Sequence, residues 1–246
     1  MDGVPIVGFM FLNQARQIKL INELPLAFEF LNSCEQEFRQ KLLKPYSNPD
    51  FDVDMLVSGA WLKEHEANTI DPPSHSNVFA QLEEFAKSWG HTGLAVCCRK
   101  YRAIIIDEYG DDKDKALVVL DEGLKLYGET NPELVRAKAK VLYRVEDHQG
   151  SLELSKALID EDAPLSKTEK ALLGRDAAIS AEKQGDYETA RRYYLYGSNS
   201  AENCNILDMV TMRVGLMADA ALASWHAGVV KLAYTISLQF SKNSMI

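Results

Sequence analysis

The sequence predicts an all-α protein, and three observations indicate this class. Apolar residues recur at three- and four-residue spacing through most of the 246 residues, as they do on one face of a helix. No stretch alternates strongly between apolar and polar residues, which disfavours a β-sheet. Proline and glycine turns separate the helical stretches. We therefore expect helices joined by short turns.

The N-terminal part contains three expected helices. The pattern from Phe9 to Leu43 is helical, and Pro25 opens a second helix there because proline fits the first turn. The prolines and turn formers between Lys44 and Asp50 end that helix. A third helix is expected from Asp52 to Asn68. This N-terminal helical segment, residues 1–71, consists either of degenerate repeats or of a cap.

The stretch from Asp71 to Asn77 is the most loop-like in the chain and is the predicted domain boundary. Helices are expected from Val78 to Trp89 and, after a Gly-rich turn, from Leu94 to Tyr109. We expect a repeat array to extend over residues 78–246.

The most informative stretch runs from Lys183 to Gly197. Gly185 tolerates a positive φ and Asp186 can cap a helix, so the two predict a tight turn into a helix. Ala190, Tyr194 and Gly197 then place small, large and small residues on one helix face.

Similar triplets recur along the chain. Their first members are separated by 34, 40 and 43 residues, and the triplets are Ala116/Leu120/Gly123, Gly150/Leu154/Ala157, Ala190/Tyr194/Gly197 and Ala233/Ser237/Phe240. Gly110, Gly185 and Gly228 precede three of them, and Pro132 opens a helix after Asn131. This pattern resembles the tetratricopeptide repeat, a pair of helices of about 34 residues. Two departures are Phe240, where a small residue is expected, and the missing turn glycine after Asn131.

The resemblance implies antiparallel helix pairs stacked as a right-handed superhelix, with the first helix of each pair lining a concave groove. It places Lys100 and Arg175 at the same groove position, with Val135 in the unit between them. Family members that clamp acidic chain ends carry asparagine one turn further along. This chain has Ile104, Ala139 and Ile179 there, and Leu142 and Tyr143 are further groove candidates. An apolar peptide or helix is therefore the expected ligand.

Composition limits the alternatives. The chain is 46% hydrophobic and 26% charged, so it can bury a sizeable core. A net charge of −9 and a pI of about 5.1 disfavour a nucleic-acid partner. The chain has no run of about 18 apolar residues, so no membrane span is expected. The adjacent Cys97 and Cys98 suit reduced thiols better than a disulfide framework, and Gly3 to Leu12 lacks the basic flank of a signal peptide. We expect a cytoplasmic protein.

Three motifs were weighed for chemistry. Residues 103–108, Ala-Ile-Ile-Ile-Asp-Glu, resemble an ATPase Walker B strand, but the chain has no Gly-Lys-Ser/Thr phosphate loop. His65 and Glu66 begin a zinc motif whose second histidine position holds Thr69. His91 with Cys97 and Cys98 lacks chelating spacing. The favoured interpretations are a buried helix for residues 103–108, a solvated helix end for His65 and Glu66, and core thiols for Cys97 and Cys98. No catalytic residue, metal or cofactor is expected.

The sequence thus predicts a non-enzymatic module that binds a protein or peptide partner. One alternative is the regulatory or sensor part of a larger signalling ATPase whose catalytic domain lies outside this chain. Another is a structural oligomerisation domain. The helix from Val229 to Phe240 is apolar and carries only Lys231, which also suggests self-association through that helix.

Overall fold

The computed structural model describes residues 21–26, 29, 53–201, 207–229, 233 and 235–236. The regular structure of these residues is entirely helical, and the described part of the chain contains no strand. The all-α prediction is confirmed. The chain divides into two compact units, unit 1 from Met1 to Gly128 and unit 2 from Glu129 to Ile246.

Unit 1 is built from helices of 13 to 17 residues that are joined by short connections. In chain order, its described elements are a 3-10 turn (Ile21–Glu23), α1 (Val53–Ala67), α2 (Pro72–Ser88), α3 (Thr92–Ile104), a π-helical turn (Ile105–Tyr109) and α4 (Lys113–Tyr127). Helix α2 packs on α3, and α3 packs on α4. The core of unit 1 is built from α1, α2, α3 and the π-helical turn, and it includes Val57, Trp61, Phe79, Leu82, Leu94 and Ile105.

The predicted loop from Asp71 to Asn77 is wrong, because α2 already begins at Pro72. Two prolines occupy the first turn, where a helix leaves its N–H groups unbonded and proline costs nothing. The backbone N–H of Asp71 donates to His75 Nδ1 at 3.0 Å. The division between the two compact units lies at Gly128, not within this stretch.

A buried charge cluster ties α2, α3 and α4 together. Arg99 Nε and Nη2 donate to Glu83 Oε1 at 2.9 and 2.7 Å, and Arg99 Nη1 donates to the carbonyl of Val119 at 3.2 Å. Tyr127 donates its hydroxyl to Glu83 Oε1 at 2.7 Å. Burial alone would raise the pKa of the Glu83 carboxyl, but hydrogen bonds from Arg99, Tyr127 and Lys87 hold that pKa below its ordinary value.

Unit 2 continues the alternation of helices and tight turns. Its described helices are α5 (Pro132–Arg144), α6 (His148–Asp160), α7 (Lys167–Lys183), α8 (Tyr187–Ser200) and α9 (Leu207–His226). Four of them, α5 to α8, begin where the sequence offers a cap: Asn131, Asp147, Ser166 and Asp186 each accept from a backbone N–H of the following first turn. The predicted starts at Asn131 and at Asp186 are confirmed.

Helices of unit 2 pack against their neighbours in sequence, and α7 also contacts α5 and α9. A close crossing joins α7 to α8 at Gly174 and Gly197. A methyl group added at Gly174 would lie 2.7 Å from the backbone N of Gly197 and 2.9 Å from the carbonyl O of Tyr193. The absence of side chains therefore sets how closely these two helices approach.

Two of the predicted triplets are buried: Ala116/Leu120/Gly123 on α4 and Ala190/Tyr194/Gly197 on α8. In the last triplet Ala233 is buried, while Ser237 and Phe240 lie outside the described residues. Gly185 and Gly228 adopt φ of 77° and 76°, as their turn positions require. Gly110 instead has φ of −90°, and Asp111 takes the left-handed conformation at 51°.

The predicted triplet on α6 is wrong by one residue. Ala157 is exposed, and the buried side chains follow one position later at Ser151, Ser155 and Leu158. Ser151 Oγ lies 3.1 Å from Ser180 Oγ on α7. Serines, small and able to hydrogen-bond each other, thus occupy the helix contact where the pattern predicted glycine, leucine and alanine.

Candidate functional site

The predicted groove residues fall in both compact units. Lys100 and Ile104 lie on α3 in unit 1, and both are half-buried. The Lys100 ammonium lies 5.3 Å from the centroid of the Tyr101 ring. Ile104 packs against the core of unit 1. The other six predicted residues lie in unit 2, on α5 and α7.

Two of those six residues do not offer a binding surface. Val135 is 5% exposed and Ala139 is 3% exposed. Both point into the packed interior of unit 2, because they lie on the buried face of α5 together with Leu134 and Val141. The resemblance places Val135 at the same groove position as Lys100 and Arg175, but Val135 is buried while the other two keep accessible surface.

Four predicted residues keep accessible surface, and we call them the α5/α7 surface: Leu142, Tyr143, Arg175 and Ile179. The Tyr143 ring lies 5.2 Å from the His148 ring, centroid to centroid. Arg175 leaves 43% of its side chain exposed and places Nη2 3.2 Å from Asp176 Oδ1. Ile179 packs its inner side on the core of unit 2. The surface is thus aromatic and aliphatic with one cation.

Contacts between α5 and α7 hold the two helices of this surface together. Arg136 Nη1 on α5 lies 3.8 Å from Glu169 Oε1 on α7. Glu169 also completes a capping box with Ser166: its Oε2 accepts from the Ser166 N–H at 3.0 Å, and its own backbone N–H donates to Ser166 Oγ at 3.2 Å. The start of α7 is therefore fixed both by its own cap and by α5.

Tyr194 anchors the opposite helix of the pair. Its hydroxyl donates to Glu182 Oε2 at 3.0 Å, which links α8 to the end of α7. Burial raises the pKa of the Tyr194 hydroxyl, and the neighbouring Glu182 carboxylate raises it further. Tyr194 is 3% exposed, so it supports the α7–α8 pair and does not face a ligand.

The motifs that resemble a Walker B strand and a zinc site lie in a helix and at a helix end. Residues 103–108 continue α3 into the π-helical turn and form no strand. His65 is exposed near the end of α1, where its ring stacks on Trp61 and Nδ1 contacts the Tyr109 hydroxyl. Thr69 Oγ1 donates to the Glu64 carbonyl at 3.3 Å. The favoured interpretations of helix and helix end agree with these positions.

The third motif also serves packing and capping. His91 Nδ1 accepts from the Leu94 N–H at 3.1 Å and thereby caps α3. Cys98 is buried and Cys97 is half-buried. Within the described residues, no group of three or more His, Cys, Asp or Glu side chains is arranged to hold a metal ion. No described helix has the length and apolarity needed to cross a membrane.

Two features were missed at the level of sequence. One is the buried Glu83–Arg99 pair, whose members lie on different helices and carry no local signal. The other is a row of exposed uncharged residues on α9, comprising Thr211, Gly215, Ala218, Leu222 and Trp225. Leu222 is 54% exposed and Trp225 is 59% exposed. Their alternating four- and three-residue spacing was the available signal.

Comparison with known proteins leaves the family open. No protein-family model matches the chain, and no curated protein is similar to it in sequence. A solved structure described as "Crystal structure of BtubC (BKLC) from P. vanneervenii" aligns at 12% identity with a TM-score of 0.42, covering 100% of this chain and 92% of that chain. A likeness at that level supports no inference about the present protein.

Proposed function

We propose that this protein is a non-enzymatic, cytoplasmic interaction module whose unit 2 binds an extended or helical segment of a partner protein. In this proposal the helices of unit 2 form tetratricopeptide-like pairs, α5–α6 and α7–α8, stacked as a right-handed superhelix. The first helices of the pairs line the concave side, and the partner segment lies on the α5/α7 surface.

The observation that carries the proposal is the contact pattern of α7. Besides its sequence neighbours α6 and α8, this helix contacts α5 and α9. Contacts between alternate helices support an arrangement in which the first helices of successive repeats share one surface. A simple meander of helices in sequence order would not require these contacts.

The chemistry of the surface decides the class of ligand. Leu142, Tyr143 and Ile179 offer apolar area, and Arg175 supplies one partly exposed cation. Grooves of this composition take an amphipathic segment whose apolar side chains anchor at three- or four-residue spacing. Tyrosine and arginine are also the residue types that most often dominate binding energy. We expect an apolar peptide with an acidic residue placed to meet Arg175.

The experiment is selection of peptides from a displayed random library against the full chain, followed by affinity measurement with fluorescence anisotropy. Selected peptides should share apolar anchors, and Tyr143→Ala should weaken their binding about tenfold. Arg175→Glu should weaken it further for peptides that carry an acidic residue. Tyr196→Ala is the matched control, since Tyr196 is a half-buried tyrosine on α8, outside the α5/α7 surface.

Two results would overturn the proposal. The first is a selection that enriches no common sequence. The second is binding that is equally sensitive to Tyr143→Ala and Tyr196→Ala, because general destabilisation would then explain the loss. Circular dichroism of each variant separates lost binding from lost folding.

A further inference from the structure

We propose that the exposed face of α9 is a homodimer interface in which two copies of the chain pair their α9 helices antiparallel. The face, called the α9 stripe, comprises Thr211, Gly215, Ala218, Leu222 and Trp225. It is distinct from the α5/α7 surface. The two proposals therefore stand or fall separately.

The spacing of the α9 stripe is that of a helix made to pair with another helix. Its members follow one another at intervals of 4, 3, 4 and 3 residues, the repeat that keeps one seam facing a partner helix. The stripe is uncharged along its length. The opposite face of α9 is already occupied, because Leu216, Ala220 and Ala223 pack in the core of unit 2.

Side-chain size selects the antiparallel direction. The large members, Leu222 and Trp225, lie toward the C-terminal end of the stripe, and the small members, Gly215 and Ala218, lie toward the N-terminal end. A Cβ atom added at Gly215 would meet nothing within 4 Å, so open space exists there. A parallel pair would set Trp225 against Trp225 and leave a gap at Gly215. An antiparallel pair centred on Leu222 sets Trp225 against Ala218 of the other copy, so the largest side chain of the stripe faces a small one.

Charge complementarity selects the same direction. Asp219 and His226 flank the stripe on one side, one heptad apart, and both are exposed. In an antiparallel pair like flanks face each other, so Asp219 of each copy meets His226 of the other. An imidazole N–H can donate to the carboxylate in either protonation state. The His226 ring is held for this contact by stacking on Tyr187, with 5.1 Å between ring centroids.

The size of the interface predicts its strength. Centred on Leu222, an antiparallel pair overlaps along α9 from Ala218 to His226, the last residue of that helix, which is about 12 Å at 1.5 Å per residue. An interface of one such helix pair falls below the roughly 800 Å² per partner that standard stable complexes bury. We therefore expect a weak dimer, with a dissociation constant in the micromolar range.

The position differs from that expected at the level of sequence. There, self-association was assigned to the helix from Val229 to Phe240. Ala233 and Ile236 of that segment are 7% and 3% exposed, and Ile236 packs with the core of unit 2. Most of that segment lies outside the described residues, so self-association through it stays a prediction, while the α9 stripe is an accessible face among the described residues.

Sedimentation equilibrium of the full chain between about 1 and 200 µM is the test, a range that brackets a micromolar dissociation constant. The wild type should shift from monomer to dimer. Leu222→Lys should remain monomeric, because it places two like charges together at the twofold axis. Leu62→Lys on α1 is the matched control, since Leu62 is 53% exposed; it should dimerise as the wild type does.

Orientation is tested by exchanging charges. Asp219→Lys alone and His226→Glu alone should each weaken the dimer, and the double variant should restore it. A wild type that stays monomeric at 200 µM would overturn the proposal. So would Leu222→Lys that dimerises normally, or a double variant no stronger than either single one. Thermal melts verify that each variant is folded.

Discussion

Replacing Gly174 by alanine is expected to destabilise unit 2 strongly, because the new methyl group meets backbone and not flexible side chains. It would lie 2.7 Å from Gly197 N, 2.8 Å from Gly197 Cα and 2.9 Å from the Tyr193 carbonyl O. Ordinary carbon contacts need about 3.5 Å. Helices α7 and α8 would therefore have to separate by roughly 0.7 Å along this direction.

The expected magnitude follows from two opposing terms. Overpacking of a close contact costs typically about 1–3 kcal/mol and more where nothing can rotate away. Alanine in a helix interior recovers about 1 kcal/mol relative to glycine. We expect a net loss of about 2–3 kcal/mol because both sides of the contact are backbone. For a unit of this size that corresponds to a fall in Tm of roughly 8–12 °C.

The assay is thermal and urea unfolding of the full chain at a few micromolar protein, monitored by circular dichroism. Gly215→Ala is the matched control: it is also a mid-helix glycine, but an added Cβ there meets nothing within 4 Å. It should stabilise the protein by roughly 1 kcal/mol. If Gly174→Ala unfolds at or above the wild-type midpoint, the close approach of α7 and α8 is refuted.

Four further outcomes are expected. Ala190→Leu should cost about 1–3 kcal/mol by overpacking a fully buried position, while Arg192→Ala on the exposed face should change little; equal melting temperatures would contradict this assignment. Arg99→Met should cost about 3–5 kcal/mol because it removes the buried guanidinium that pairs with the Glu83 carboxylate and leaves only Tyr127 and Lys87 beside that charge, and combining it with Glu83→Gln should recover part of that loss. Since the folded pKa of Glu83 is lowered, its contribution should be full above about pH 4.3 and be lost as the pH falls through the folded pKa. Urea titrations at several pH values, in which Glu83→Gln shows the same acid slope as wild type, would argue against it. Finally, EDTA and reductants should leave the far-ultraviolet circular dichroism spectrum unchanged, and a large loss of helix on adding EDTA would reveal a metal site.

Local signals predicted the local features well. Two short residue pairs each predict a helix start, and the structure has a helix start at both. They are Asn131 with Pro132 and Gly185 with Asp186. Size and spacing alone indicate Gly197 as a close-contact position, and it lies at the close crossing of α7 and α8. These features depend on residues close in sequence, whose conformational preferences do not require tertiary contacts.

Features that depend on distant partners were not predictable in the same way. The stretch from Asp71 to Asn77 has the composition of a loop, yet its two prolines are tolerated because they fall in the first turn of α2. The buried face of α6 lies one residue from the predicted one, and there Ser151 meets Ser180 on α7, a partner 29 residues away in the sequence. Accessibility also depends on partners: Val135 and Ala139 have suitable spacing for a groove but are covered by packing.

The central claim is that a partner segment lies on the α5/α7 surface of unit 2, and site-specific photocrosslinking tests it most directly. Benzoylphenylalanine replaces Tyr143 on α5 in one variant and Tyr196 on α8 in another, and each is irradiated with a peptide from the displayed-library selection. Crosslinking at position 143 with none at position 196 is the predicted result. Crosslinking at position 196 alone, or at neither position while the peptide is bound, would contradict the claim.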